Sequence, residues 1–152
     1  MWSAPLRSSS RVALITSGTP SATREVQDRP EQQAQKLAGQ AKDYLDRGLL
    51  LEAERLYLSA VAIDDRVPAV HAGLAEVREK AGDLQNARKE ARTSLELMPS
   101  VQAYLVMGRL DLGAGHLDEA QYDAGEALKI DPHSKPAQDL RQEIQAREAQ
   151  KK

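Results

Sequence analysis

A chain of 152 residues is long enough for one compact domain and short for two independent cores. Its formal net charge of -2 and pI near 5.9 give no basic field of the kind that gathers nucleic acid or an anionic membrane, so neither is expected as a partner. The absence of cysteine excludes a disulfide framework and a thiolate zinc site. No apolar run approaches the ~18 residues that span a bilayer, so no membrane insertion is expected.

Aromatic residues make up 3% of the chain and phenylalanine is missing, while Ala, Leu, Glu, Lys, Arg and Gln abound. That composition favours helices packed through small side chains. No stretch alternates apolar and polar residues among β-branched neighbours, so an all-α fold is expected.

In chain order, residues 1–24 carry Arg7, Arg11 and Arg24, no acidic residue, and much Ser, Thr, Gly and Pro. Such a composition buries too little apolar surface to offset chain entropy, and residues 1–29 read as a flexible tail. An Arg-rich, Ser-rich, acid-poor start also fits a targeting segment, although Val12 to Ile15 is too short an apolar core for secretion. The sequence names no compartment. Helical pattern then begins at Pro30, acceptable in a first turn, with Asp28 available as a cap.

From there the sequence matches itself at offsets of 34 and 33 residues. Gly48, Gly82 and Gly115 align; so do Leu50, Leu84 and Leu117, and Ala53, Ala87 and Ala120. Further on, Ala60, Ser94 and Ala127 correspond, as do Asp65, Pro99 and Pro132. The units are residues 34–67, 68–100 and 101–133. Each glycine suits a left-handed helix C-terminus. Asp83, and Asp118 with Glu119, suit the start of the next helix. The alanines share one face and let two helices approach closely, and the prolines end the second helix. Residues 135–150, with Ser134 and Pro136 at the start and Ala137, Leu140 and Ile144 on one side, read as a closing helix.

A period of about 34 residues built of paired helices with this punctuation resembles the tetratricopeptide repeat. Its W-x2-L-G-x2-Y positions hold Leu37, His71 and Tyr104, then Gln40, Leu74 and Met107, then Ala41, Ala75 and Gly108. The final tyrosine slot has Tyr44, then Arg78 and Asp111; the phenylalanine slot has Tyr57, then Ala91 and Ala124. Loss of these aromatics predicts less rigid second and third hairpins. The resemblance implies a superhelical array that binds a protein or peptide, with residues 30–150 as the domain.

No catalytic apparatus is visible. His71 falls in a packing slot, His116 and His133 read as turn residues, and Asp64-Asp65 and Asp118-Glu119 sit at helix ends where capping explains them. No phosphate loop or metal-ligand spacing occurs, so neither a cofactor nor enzymatic activity is expected.

In the family the first helix of each hairpin lines the concave, ligand-binding side. By that geometry the partner-binding residues are Gln35, Lys42 and Leu45 in the first unit, Ala72 and Glu76 in the second, and Gln102, Leu105, Val106 and Arg109 in the third. Ala38, Ala69 and Gly73 share the face. Leu45, Ala72, Gly73, Leu105 and Val106 form its expected apolar floor, although Leu105 and Val106 equally suit contact with a neighbouring hairpin. The family's clamp for a chaperone-tail carboxylate maps onto Ala38, Lys42, Gly73, Gln102 and Val106, where only Lys42 has a suitable charge. An apolar or amphipathic partner segment is therefore expected, and a chaperone tail is not. Two roles remain open: a dedicated adaptor or assembly scaffold, and a docking or regulatory portion of a larger enzyme system.

Overall fold

The computed structural model describes residues 28–152 of the chain. The tail and targeting readings of the N-terminal segment fall almost wholly outside those residues. The described part consists of α1 (Pro30–Asp46), α2 (Leu50–Ile63), α3 (Pro68–Lys80), α4 (Leu84–Leu97), α5 (Val101–Ala114), α6 (Leu117–Ile130) and α7 (Lys135–Gln150), with no strand.

The recurring glycines set the hairpin turns. Gly48, Gly82 and Gly115 have φ of 76°, 86° and 82°, a conformation that costs a residue with a Cβ much more. In each turn the glycine N–H donates three residues back. The following N–H donates five back: Leu49 to the Tyr44 carbonyl, Asp83 to Arg78 and His116 to Asp111, each at 2.9 Å. These paired bonds satisfy carbonyls that the helix end would leave open. Asp83 then caps α4 by accepting from the Asn86 N–H at 3.3 Å. At α1 the cap residue is Arg29, whose N–H donates to the Gln32 side chain at 3.1 Å. Asp28 instead pairs with Lys36, one turn further in than a cap would reach.

Within each hairpin the helices meet through alanine. Ala53, Ala60, Ala87, Ala91, Ala120, Ala124 and Ala127 have no exposed surface, and Ser94, in the same row, donates to the Pro68 carbonyl at 2.9 Å. Helices α1 and α2, α3 and α4, and α5 and α6 pair in this way, and α7 lies against α5 and α6. The first helices also touch one another, α1 to α3, α3 to α5 and α5 to α7, whereas α2, α4 and α6 do not touch. The array therefore curves with α1, α3 and α5 on its inner side.

Polar groups occupy the tyrosine slot of the second and third units. Arg78 reaches Glu90 at 2.9 Å and Glu54 at 3.5 Å, and Asp111 accepts from Arg88 at 2.6 Å. Ion pairs between helices thus stand where the first unit has Tyr44.

One close approach decides the junction of the first two hairpins. Tyr57, 2% exposed, lays its ring over Gly73, where an added Cβ would lie 2.2 Å from the tyrosine Cζ. Gly73→Ala should therefore lower stability by roughly 1–3 kcal/mol in urea unfolding. The cost should shrink in a Tyr57→Leu background. A neutral Gly73→Ala would show that the ring does not pack there.

Candidate functional site

The inner face is built from α1, α3 and α5, and a row of polar contacts runs across it. On α1, Lys42 is exposed and donates to Asp46 at 2.9 and 3.0 Å, and Gln35 is exposed and donates to Glu31 at 3.1 Å. Between α3 and α5, Gln102 donates to Glu76 at 2.8 Å, and Lys80 approaches the same carboxylate at 4.0 Å. Arg109 holds Glu79 through two bonds, Nε at 2.7 Å and Nη2 at 2.6 Å, the fork geometry that only a guanidinium supplies. These ties cross from one hairpin to the next, so they fix the spacing of the inner helices as well as the charge presented there.

The apolar members of the expected site lie beneath this row. Val106 has no exposed surface and packs with Ala75, Ala87 and Ala91, between the second and third hairpins. Leu105 packs with Leu112, Leu117 and Leu140 toward the closing helix, and Leu45 belongs to the core of the first hairpin. Ala72 is buried, and Gly73 is covered by Tyr57. The open apolar floor is thus corrected to packed core: of the nine expected residues, Gln35, Lys42, Glu76, Gln102 and Arg109 reach the surface. The reason is that α3 and α5 touch neighbours on most of their circumference, leaving only a narrow strip free.

Two residues of the site escape sequence inspection. Glu79 is not singled out by any motif or spacing, yet it is the partner of Arg109, thirty positions away. Tyr57 comes from α2, but its ring passes over Gly73 toward the inner face. Burial, with the negative charges of Glu76 and Asp46, pushes its phenol up to about 12, so the hydroxyl stays neutral at any working pH. Tyr57 being the one aromatic in its slot is the signal that could have found it.

His71 is buried at the junction of α3 and α4. Nδ1 lies 2.8 Å from a Glu90 oxygen and Nε2 2.7 Å from the Asp65 carbonyl, so both ring nitrogens face acceptors and the imidazolium is favoured. The hydrogen bond it donates to Glu90 raises His71 above its ordinary 6.5 against the opposing effect of burial. The bond from His71 holds Glu90 below its ordinary 4.5. Among the described residues no group of three or more His, Cys, Asp or Glu could hold a metal ion.

The geometry of three glycine-turned helical hairpins and a closing helix recurs in solved structures. The first tetratricopeptide (TPR) domain of human RPAP3 superposes with a TM-score of 0.71 at 20% identity, covering 80% of this chain and 96% of that one. The chain has the tetratricopeptide repeat fold. The first TPR of Spaghetti (RPAP3), bound to the HSP90 peptide SRMEEVD, matches at 0.69 with 22% identity, covering 78% of this chain and 95% of that one. The second TPR domain of human RPAP3, in complex with the HSP70 peptide SGPTIEEVD, matches at 0.65 with 23% identity, over 76% of this chain and 98% of that one. No family model and no curated protein matches the sequence.

These likenesses correct one expectation. Poor agreement at the five clamp positions led to a chaperone-tail carboxylate being excluded as ligand and an apolar or amphipathic segment being preferred. Two tetratricopeptide structures similar to this chain hold chaperone peptides ending in EEVD, so that exclusion does not stand. Residue types at five positions do not decide the ligand of a groove whose side chains vary while the backbone arrangement is kept.

Two outcomes follow from this geometry. Val106→Asp places a carboxylate where no water reaches and should cost at least roughly 3 kcal/mol, read as a collapse of the thermal midpoint. A midpoint unchanged by the substitution would put Val106 on an open surface. For His71, the raised folded pKa means that its contribution is complete below its unfolded value near 6.5 and is lost as pH rises through the folded one. Glu90, held low, contributes above about 4.5 and loses its share as pH falls through its folded value. The urea midpoint of the wild type should therefore decline from pH 6 toward pH 9. His71→Gln should start lower and flatten the decline above about pH 7, below which Asp123, raised to about 7, adds a loss of its own; an identical slope in the variant would show that His71 is not protonated in the fold.

Proposed function

We propose that this chain is a non-catalytic protein-binding module, an adaptor or assembly scaffold that takes a peptide or helical segment of a partner along the inner face of α1, α3 and α5. The observation that carries the reading is the polar row of Lys42, Glu76, Gln102 and Arg109, in which the Gln102–Glu76 and Arg109–Glu79 bonds cross from one hairpin to the next and Lys42 is held by Asp46 on its own helix. The row runs along one side of a tetratricopeptide fold and presents donors and acceptors in a fixed spacing. An extended peptide offers backbone groups at regular intervals and is matched by such a row. Gln35 extends the row on α1, and Leu45, Ala72, Leu105 and Val106 hold it from beneath. Support comes also from the structural neighbours, two of which hold peptides. No helix of the described residues is long and apolar enough to cross a membrane.

The test pairs Lys42→Ala, a surface change that should shift stability by less than ~0.5 kcal/mol, with Gln102→Ala, whose lost bond to Glu76 should cost about 1 kcal/mol and leave the protein folded. Affinity capture from the host extract, read by mass spectrometry against the wild type, identifies the partner. Its dissociation constant for the doubly substituted protein should then rise about tenfold or more. A folded variant with unaltered affinity would move the interface off the inner face. Recovery of one enzyme in fixed stoichiometry would favour the alternative, a docking portion of a larger enzyme system.

A further inference from the structure

On the flank where α4 meets α5 and α6, away from the inner row, lies a cleft of about 750 Å³. Two carboxylates sit in its wall. Asp111 of α5 and Asp123 of α6 are 4% and 6% exposed, in a hairpin otherwise joined by alanine and leucine. A buried carboxylate needs a cation or hydrogen-bond donors to replace the water it has lost. For Asp111 the Arg88 guanidinium is both, donating at 2.6 Å, and the exposed His116 ring stands further off at 3.7 Å. Asp123 has no ion pair and accepts no hydrogen bond from a donor group of another residue type among the described residues. The group facing it is the Asp111 carboxyl.

The charges around Asp123 can be accounted for in full. Burial first, and then the Asp111 charge and a hydrogen bond shared with it, push its carboxyl from 3.8 up to about 7, with Arg88 opposing and Glu119 adding to the rise. Arg92 lines the cleft from α4 but makes no ion pair among the described residues, and Asp118 and Glu119 add negative charge from the first turn of α6. With Asp123 ionised, four acids line the cleft against Arg88 and Arg92, so it carries two uncompensated negative charges. Its remaining walls are the Met107 side chain and the Tyr122 ring, the latter 62% exposed. A thioether and an open aromatic face suit the stem and the planar head of a cationic side chain.

We propose that this cleft is a receptor for one basic side chain, an arginine or lysine projecting from a partner protein, with Asp123 as its counter-ion and Tyr122 as its stacking surface. The entering cation bonds the Asp123 carboxylate, and the proton held there leaves to solvent. Arginine fits better than lysine, because a planar guanidinium can address Asp123 and lie on the Tyr122 ring together. The inference does not rest on the inner-face reading, since it uses none of the residues in that row.

The probe is N-acetyl-arginine N-methylamide added to the full chain, followed by amide chemical shifts, with the neutral citrulline analogue as control and the lysine analogue for comparison. Saturable shifts confined to Arg88 and residues 107–123 are expected for arginine, weaker ones for lysine and none for citrulline. Because the Asp123 proton must leave, arginine affinity should rise about tenfold between pH 6 and pH 8, following the ionised fraction of a group titrating near 7. Asp123→Asn keeps the shape of the protonated acid and should fold, yet lose the pH dependence and at least about tenfold in affinity. Tyr122→Ala, at an exposed position, should weaken binding severalfold and serves if the asparagine variant is unstable. Equal shifts with citrulline, shifts scattered over the acidic surface, or affinity indifferent to both substitutions would overturn the proposal.

Discussion

The structure depends on how closely two helices can approach. Alanine in the crossing row of α2, α4 and α6 brings each hairpin together at a distance that larger side chains would not allow, and three left-handed glycines return the chain at the right place. Once the hairpins are that compact, their inner helices come into mutual contact while the outer ones splay apart. The curvature is therefore a consequence of side-chain volume. The same constraint leaves room for a large ring only where a partner gives way, as Gly73 does beneath Tyr57.

Where the repeat lacks its aromatics, charge takes over the work of joining helices. Arg78, Glu54, Glu90 and His71 form one network across the first two hairpins, and Arg88 with Asp111 forms another across the second and third. Partly buried ion pairs of this kind add little net stability compared with an apolar contact of equal volume, but removing one partner is costly. They fix register more than they add strength. Within the hairpins the titrating groups differ as well: the second holds His71 against Glu90, with the histidine shifted up, and the third holds Asp123 beside Asp111, with Asp123 shifted up. An array of nearly identical hairpins thereby acquires distinct joints.

The inner face, proposed above as the binding side, carries ties between hairpins. Arg109 with Glu79, and Gln102 with Glu76, are braces, and in the proposed binding mode they are recognition groups as well. A ligand that competes for one of them must offset its loss, which favours peptides that bring their own acceptors and donors in the same spacing. Such selectivity comes from the braces being pre-arranged by the packing beneath them.

The sequence by itself determined the all-α character, the period, the positions of the turns and the small residues at the crossings. Those properties are local: a glycine at a helix end, a proline after it and an alanine at fixed spacing act through their own backbone and volume. It also made Gln35 and Lys42 legible as surface groups, because α1 has a clear polar side. The tertiary structure alone decided that Val106 and Leu105 turn inward, that Arg109 answers Glu79, and that Asp111 and Asp123 meet. Helices α3 and α5 are covered on most sides, so their apolar pattern points in no single direction. Pairs such as Arg109 and Glu79 lie thirty residues apart on different hairpins. Their meeting is set by how one hairpin rotates on the next, and that angle is a sum of many packing contacts carried by no single residue.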